Sequence, residues 1–318
     1  MNLPALIDLR PWIDDLLEVL VVPSFSRLGF VIRSRIFGWQ PAELASLAGR
    51  TVLLTGPTSG LGRAMAGSFA RMGARLVLVG RDADRLEQTA TELRAESPGV
   101  ELVTVVADMS SLASVRAAAD QIGRQEAVID VIVDNAGAMF EEREVTPEGF
   151  ERTLATMVLG PFVLIGRLLP RLLASPDPRI VAVTSGGMYT QALAIDNLGF
   201  EQGTYDGPRA YARAKRAQVA LAREWARRLR NRGVVVNAMH PGWADTPGLE
   251  ASLPGFRRLV GDLLRTPAEG TDTAVWLASA AEARTLTGRV FLDRRPRPFD
   301  RVPSTRTSAD ERRRLWAT

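Results

Sequence analysis

Tyr211-Ala212-Arg213-Ala214-Lys215 sets a phenol and an ammonium four residues apart, a spacing that puts both on one face of a helix. A tyrosine is a weak acid at neutral pH. A neighbouring cation stabilises the phenolate and makes the hydroxyl a usable proton donor or acceptor for a carbonyl or alcohol oxygen. Lys215 is the single lysine of the chain, against 39 arginines. Its retention in so Arg-rich a sequence points to a task that the bulkier, permanently charged guanidinium does not serve. A second donor should polarise the same oxygen. Ser185, just past the apolar run Ile180–Thr184, stands where it could do so, with Thr184 as the local rival.

A glycine-rich segment carries the second chemistry. Thr55-Gly56-Pro57-Thr58-Ser59-Gly60-Leu61-Gly62 joins an apolar strand to an amphipathic helix. Glycines at this spacing let the backbone turn tightly and let a pyrophosphate approach the free N–H groups of a helix N-terminus. The next strand ends Val79-Gly80-Arg81-Asp82. A dinucleotide with free ribose hydroxyls usually meets an acidic residue there. Arg81 instead matches a 2′-phosphate in charge and fork geometry, with Thr58 and Ser59 beside it. NADP(H) is the favoured cofactor, and Asp82 keeps NAD(H) as the alternative.

The elements that must position these groups alternate regularly. Apolar runs at 51–55, 75–79, 101–107, 130–133, 180–184, 234–237 and 290–292 read as strands, separated by helical patterns. Phe150–Leu173 reads as one long helical region containing Pro161 and Pro170. The pattern predicts an α/β fold, a single doubly wound Rossmann-like domain with a mainly parallel, seven-stranded sheet over residues 49–293. Residues 1–48 read as a helical N-terminal extension. Residues 294–318 read as an Arg/Pro-rich basic tail, extended and then helical.

Composition narrows the function classes. The absence of cysteine excludes disulfides, thiol nucleophiles and Cys-based metal sites, and one histidine, His240, excludes a multi-histidine site, so no metal is expected. His240, before Pro241, reads as a loop-ordering residue rather than a base. The net charge of +4 belongs to the tail: residues 294–318 carry eight Arg against three acids, while the body is near neutral. A nucleic-acid partner is not expected. No run of 18 apolar residues and no leader-like segment stands out, so the expected location is cytoplasmic. In the extension, Phe25, Phe30, Phe37 and Trp39 alternate with Arg27, Arg33 and Arg35. That stretch reads either as helices packed on the main domain or as a peripheral membrane contact with Arg heads on lipid phosphates.

Taken together, these residues resemble the classical short-chain dehydrogenase/reductase superfamily over roughly residues 49–293. The resemblance implies a cofactor turn at Gly56, Gly60 and Gly62 with Leu61 between them, and an acidic residue near the adenine at Asp108, followed by Met109. It implies an Asn-Ala-Gly element at Asn135, Ala136 and Gly137. The catalytic Ser, Tyr and Lys would be Ser185, Tyr211 and Lys215. Pro241, Gly242 and Thr246 would lie beside the nicotinamide. Thr184–Met188, Met239–Gly248 and Gly288–Arg295 are similar to the subgroup around dehydrogenase/reductase SDR family member 12. The long interval between Ser185 and Tyr211 resembles retinol-dehydrogenase-like members. One departure is Met157, where the family usually has an Asn whose backbone carbonyl helps hold a water connected to the lysine.

The implied activity is reversible carbonyl–alcohol oxidoreduction. Met139, Phe140, Met188, Tyr189, Trp243, Leu249, Leu253 and Phe256 are candidate lining, an apolar set that suits a lipophilic aldehyde, ketone or alcohol. Two alternatives are a catalytically impaired dinucleotide-binding or scaffold protein, which Met157 would permit, and a nucleotide-sugar epimerase or dehydratase. Homo-oligomerisation through the helices at 150–173 and 209–230 is a further expectation.

Overall fold

The apolar runs become β1 (Thr51–Thr55), β2 (Arg75–Gly80), β3 (Leu102–Val106), β4 (Val131–Asp134), β5 (Arg179–Val183), β6 (Val235–Met239) and β7 (Val290–Leu292). In this computed structural model, which describes residues 8–42, 45–252 and 254–318, they pair in parallel. An eighth strand, β8 (Arg295–Arg297), adds antiparallel to β7 in the segment expected to be an extended tail. The order is β3-β2-β1-β4-β5-β6-β7-β8. β1, β4, β5 and β6 are buried along their whole length, because helices cover both faces. The order reverses between β1 and β4, which opens a crevice at their carboxyl ends.

The helices in chain order are α1 (Arg10–Val19), α2 (Val21–Phe25), α3 (Arg27–Ile36), α4 (Gly60–Arg71), α5 (Ala83–Glu96), α6 (Leu112–Gln125), α7 (Arg152–Leu154), α8 (Gly160–Leu172), α9 (Gly207–Leu229), α10 (Pro247–Ser252), α11 (Pro254–Val260), α12 (Pro267–Ser279) and α13 (Ala309–Ala317). α9 starts sharply: the Asp206 carboxylate accepts the Arg209 N–H at 2.8 Å, and Pro208 occupies the first turn. The region expected as one helix from 150 to 173 is α7 and α8 joined by a π turn over Ala155–Leu159. This rod is long and apolar enough to cross a membrane by length and composition. Leu154, Met157, Val158, Leu164 and Leu168 nevertheless lie in the core, packed as in a core helix of a doubly wound sheet.

The N-terminal helices are bound to the last strands by buried charge. Arg33, fully buried, donates to Asp14 at 2.7 Å and to Asp293 at 2.8 Å. Arg265 donates to both oxygens of Asp293, and Arg297 to both oxygens of Asp14. Glu18 pairs with Arg301. Arg33 is therefore unavailable to lipid phosphates, which corrects that part of the membrane expectation. Apolar side chains that do face solvent include Trp12, Leu16 and Val19 on α1, Leu20 just after it, Val21 and Val22 on α2, and Leu28 on α3. The basic tail is also largely neutralised in place: Arg294 pairs with Asp272, Arg297 with Asp14 and Arg314 with Asp196.

Candidate active site

The glycine turn sits at the β1–β4 switch point, and its glycines are there for space. A Cβ on Gly62 would lie 1.8 Å from the Gly56 carbonyl oxygen, and one on Gly60, where φ is +50°, 3.2 Å from Thr246. Ser59, at the cap of α4, makes no side-chain capping bond, so the first N–H groups of α4 remain free to meet an anion. Gly62→Ala is expected to abolish dinucleotide binding in any protein that still folds, as read by NADPH fluorescence titration; wild-type affinity would contradict the cradle.

Asn135 ties this turn to β4. Its side chain donates to the Thr55 carbonyl at 2.9 Å and the Gly56 carbonyl at 3.2 Å, while the Asn135 and Ala136 N–H groups both donate to the Thr55 hydroxyl. The side chain expected at the cofactor is thus spent on shaping the loop. Asp108, at the end of β3, accepts the Ser110 N–H and hydroxyl on one oxygen. Met109, expected at the cofactor, is buried in the core. Arg81 is exposed beyond β2. Asp82 caps α5 by accepting the Arg85 N–H at 3.0 Å, a structural task that competes with binding a ribose. Arg85 reaches back to the Thr58 carbonyl at 3.5 Å. It puts a second guanidinium beside the turn, one the sequence pattern did not single out because an exposed helix arginine is common in this chain.

Ser185, Tyr211 and Lys215 come together at the carboxyl end of β5. The Ser185 hydroxyl accepts the Gly187 N–H at 3.3 Å and lies near enough to the Tyr211 phenol to favour its ionised form. Thr184, the rival, is buried and donates to the Lys215 carbonyl at 3.2 Å, so it anchors α9 to β5. Burial raises the Tyr211 pKa, and the Ser185 hydroxyl opposes that only in part. The phenol is desolvated although the residue as a whole is partly exposed. Lys215 was expected to pull this pKa down. Its Nζ instead donates to the Val183 carbonyl at 2.8 Å, lies 5.7 Å from the Tyr211 ring centre, and is not among the causes that move the phenol's pKa.

Gly137 lies between the lysine and Met157: a Cβ there would be 3.5 Å from Lys215 Nζ and 3.1 Å from the Met157 sulfur. Met157 is buried within the π turn, where the Gly160 N–H bonds the Ala155 carbonyl. The irregular turn therefore forms without an Asn amide at this position. Thr156 donates to the Arg152 carbonyl and makes no bond toward the lysine.

Residues of the extension complete the wall beside this centre. The Phe25 carbonyl accepts the Trp243 N–H at 2.8 Å, and the Phe25 ring lies 4.5 Å from the His240 ring. A Cβ on Gly186 would meet that ring at 2.6 Å, and one on Gly242, where φ is +69°, would be 2.5 Å from the Phe25 carbonyl oxygen. His240 Nδ1 accepts the Gly242 N–H at 3.3 Å, and burial lowers the imidazole pKa to about 3. It orders the loop as a neutral ring. Pro241 is buried, whereas Gly242 and Thr246 keep partial exposure toward the cleft.

Of the expected lining, Met139, Phe140, Trp243 and Leu249 are partly exposed, whereas Met188 and Tyr189 are buried in the core and do not line an open cleft. Leu253 and the Phe256 side chain lie outside the described residues. A separate depression of about 830 Å³ at the amino ends of β1 and β2, bordered by Thr51, Arg71, Arg75 and Glu101, contains none of these groups.

Residues 50–254 match the family described as short chain dehydrogenase. Dehydrogenase/reductase SDR family member 12 of Bos taurus is 38% identical over 287 residues, covering 90% of this chain and 89% of that protein. Retinol dehydrogenase 14 of Homo sapiens is 37% identical over 264 residues, covering 77% and 78%. Among solved structures, RhlG of Pseudomonas aeruginosa in its NADP active-site complex superposes with a TM-score of 0.63 at 28% identity, covering 79% of this chain and 96% of that one. With the site geometry and these likenesses in agreement, the chain belongs to the short-chain dehydrogenase/reductase family.

Proposed function

We propose that the protein is an NADP(H)-dependent oxidoreductase that interconverts a lipophilic aldehyde or ketone and its alcohol, with Tyr211 as the acid/base. The observation that carries this reading is the Tyr211 phenol, beside Ser185 and one helical turn from Lys215, at the carboxyl edge of the sheet where the glycine cradle also sits. The names of the related retinol dehydrogenase and of the NADP complex favour the same cofactor and an apolar substrate.

The residues fit the dinucleotide. The Gly56–Gly62 turn and the free N–H groups of α4 would take the pyrophosphate, and Arg81 with Arg85 the 2′-phosphate. Thr58, Ser59 and Leu61 line the turn, and Asp108 faces the adenine end. Gly137, Pro241, Gly242 and Thr246 border the nicotinamide end, where Lys215 would hold ribose hydroxyls. When bound, NADPH supplies the hydride. The chain's own part is to aim and protonate: Ser185 donates to the substrate oxygen and fixes its position, and Tyr211 delivers the proton to that oxygen as negative charge develops there. Trp243, Phe140 and Met139 exclude water from the reacting carbon.

The direct test is NADPH oxidation against a panel of hydrophobic aldehydes and ketones. Tight NADPH binding with no turnover of any of them would sink the enzyme reading and leave a binding protein. Cofactor choice is tested by Arg81→Ala. Loss of a charge-assisted bond to the 2′-phosphate is expected to weaken NADPH binding about 10- to 100-fold. NADH binding should stay unchanged. An equal loss for both would refute the assignment.

A further inference from the structure

Behind the reacting edge, three polar side chains form a closed buried line. Lys215 Nζ donates to Gln218 Oε1 at 3.2 Å, and Gln218 Nε2 donates to Asp134 Oδ2 at 2.6 Å. All three side chains are about 95% buried or more. The amide orientation follows from chemistry, since an ammonium can only donate and so must face the Gln218 carbonyl oxygen. Asp134 Oδ1 is buried with no hydrogen-bond partner. Asp134, Met157 and Gln218 all border a cavity of about 20 Å³, room for one water. Neither Asp134 nor Gln218 has a place in the reaction as described so far.

We propose that Asp134 and Gln218 are positioning residues for Lys215: the carboxylate, acting through the Gln218 amide, keeps the buried lysine protonated and holds it on the Val183 side of the cleft. The inference deepens the oxidoreductase reading, which supplies the reason that this charge matters.

The electrostatics agree with the geometry. Burial pushes Lys215 down to about 8, and Asp134 is the one charged group that holds it up. Burial pushes Asp134 up, while Lys215 and the Gln218 bond hold it down. Among the described residues, no other charged side chain from β4, β5, α9 or the π turn contributes to either shift. Val183 offers the ammonium a carbonyl and Met157 a thioether, and neither carries a countercharge. Remove Asp134 and the ammonium is buried without one, so its pKa must fall further.

The single lysine makes the test direct. Protein grown with lysine labelled at 13Cε gives one lysine resonance, whose pH titration reports Lys215 without assignment and without turnover. The wild-type midpoint is expected at about 8. Asp134→Asn should lower it by about one unit, and the alkaline limb of kcat/KM for carbonyl reduction should move down with it. Gln218→Glu, which sets a carboxylate against the ammonium, should move the midpoint the other way; it stays informative if the Asp134 variant fails to fold. A midpoint unchanged in both variants, or in whichever one folds, overturns the proposal. A wild type that never turns over would instead sink the oxidoreductase reading and leave the titration result standing.

Discussion

Tyr211→Phe is expected to lower kcat for carbonyl reduction about a thousand-fold while leaving NADPH affinity within a factor of about two. The substitution deletes one hydroxyl and keeps the ring, so Ser185, the Lys215 station at Val183 and the cradle persist. What is lost is the proton donor, and water cannot replace it in a desolvated site. The pH dependence follows from the sign of the shift. Burial raises the Tyr211 pKa, so the phenol is protonated throughout the neutral range and ready to give its proton. Reduction should stay level through neutrality and fall only as an alkaline group deprotonates. Alcohol oxidation, which needs the phenolate, should rise with pH over the same interval. Stopped-flow or steady-state rates with a hydrophobic aldehyde in one direction and its alcohol in the other would check both. Retained turnover in the Phe variant would remove Tyr211 from the chemistry.

Asp293→Asn should destabilise the fold by about 3–5 kcal/mol, because it breaks a buried charge cluster on one side only. Asp293 is the shared acceptor of Arg33 and Arg265, all three essentially inaccessible to solvent. Asn keeps the size and tolerates the positive φ of +54° at this position, so the loss is charge rather than shape. At roughly 2 °C per kcal/mol for a chain of this size, the midpoint of thermal unfolding should fall by about 6–10 °C. Arg265 also donates to the Phe25 and Ser26 carbonyls, beneath the Gly242–Trp243 loop. KM for the carbonyl should therefore rise along with the loss of stability. The pKa values of Asp14 and Asp293 are both lowered by their arginine partners, against the opposing effect of burial. Their contribution is complete above the ordinary carboxylate pKa near 4 and is lost as pH falls through the depressed values. Calorimetry from pH 7 down to pH 3 should show the difference between wild type and variant shrinking with acidification. A constant difference would mean that the charges are not what binds the extension.

What the sequence made legible was local. The glycine turn, the Tyr-x3-Lys pair and the apolar strands each depend on spacings of a few residues, and each appears where periodicity and turn chemistry put it. Arg33 was not legible, because among 39 arginines nothing in its neighbours separates a buried one from a surface one. Its partners Asp14 and Asp293 lie 19 and 260 residues away. The same distance hides Gln218 and Asp134, 84 residues apart, although both flank named motifs. Met188 and Tyr189 looked like pocket lining because an apolar side chain just after Ser185 serves packing and binding equally well. β8 was hidden by its composition, since Arg-Pro-Arg reads as a tail until Asp14 supplies the countercharge.

The pairing of Asp14 with Arg297 spans 283 residues, and it sets an order of events during biosynthesis. Helices α1 to α3 are made before the α/β domain, whereas Arg265, Asp293 and Arg297, which receive them, follow β6. At about 5–20 residues per second, the extension waits roughly 15–60 s for its site. During that interval Asp14 lacks Arg297 and Arg33 lacks Asp293. The extension is therefore a late-docking segment, whose charge cluster closes only when β8 is complete. A chain stalled before β8 would leave α1 to α3 without their bond to Arg297.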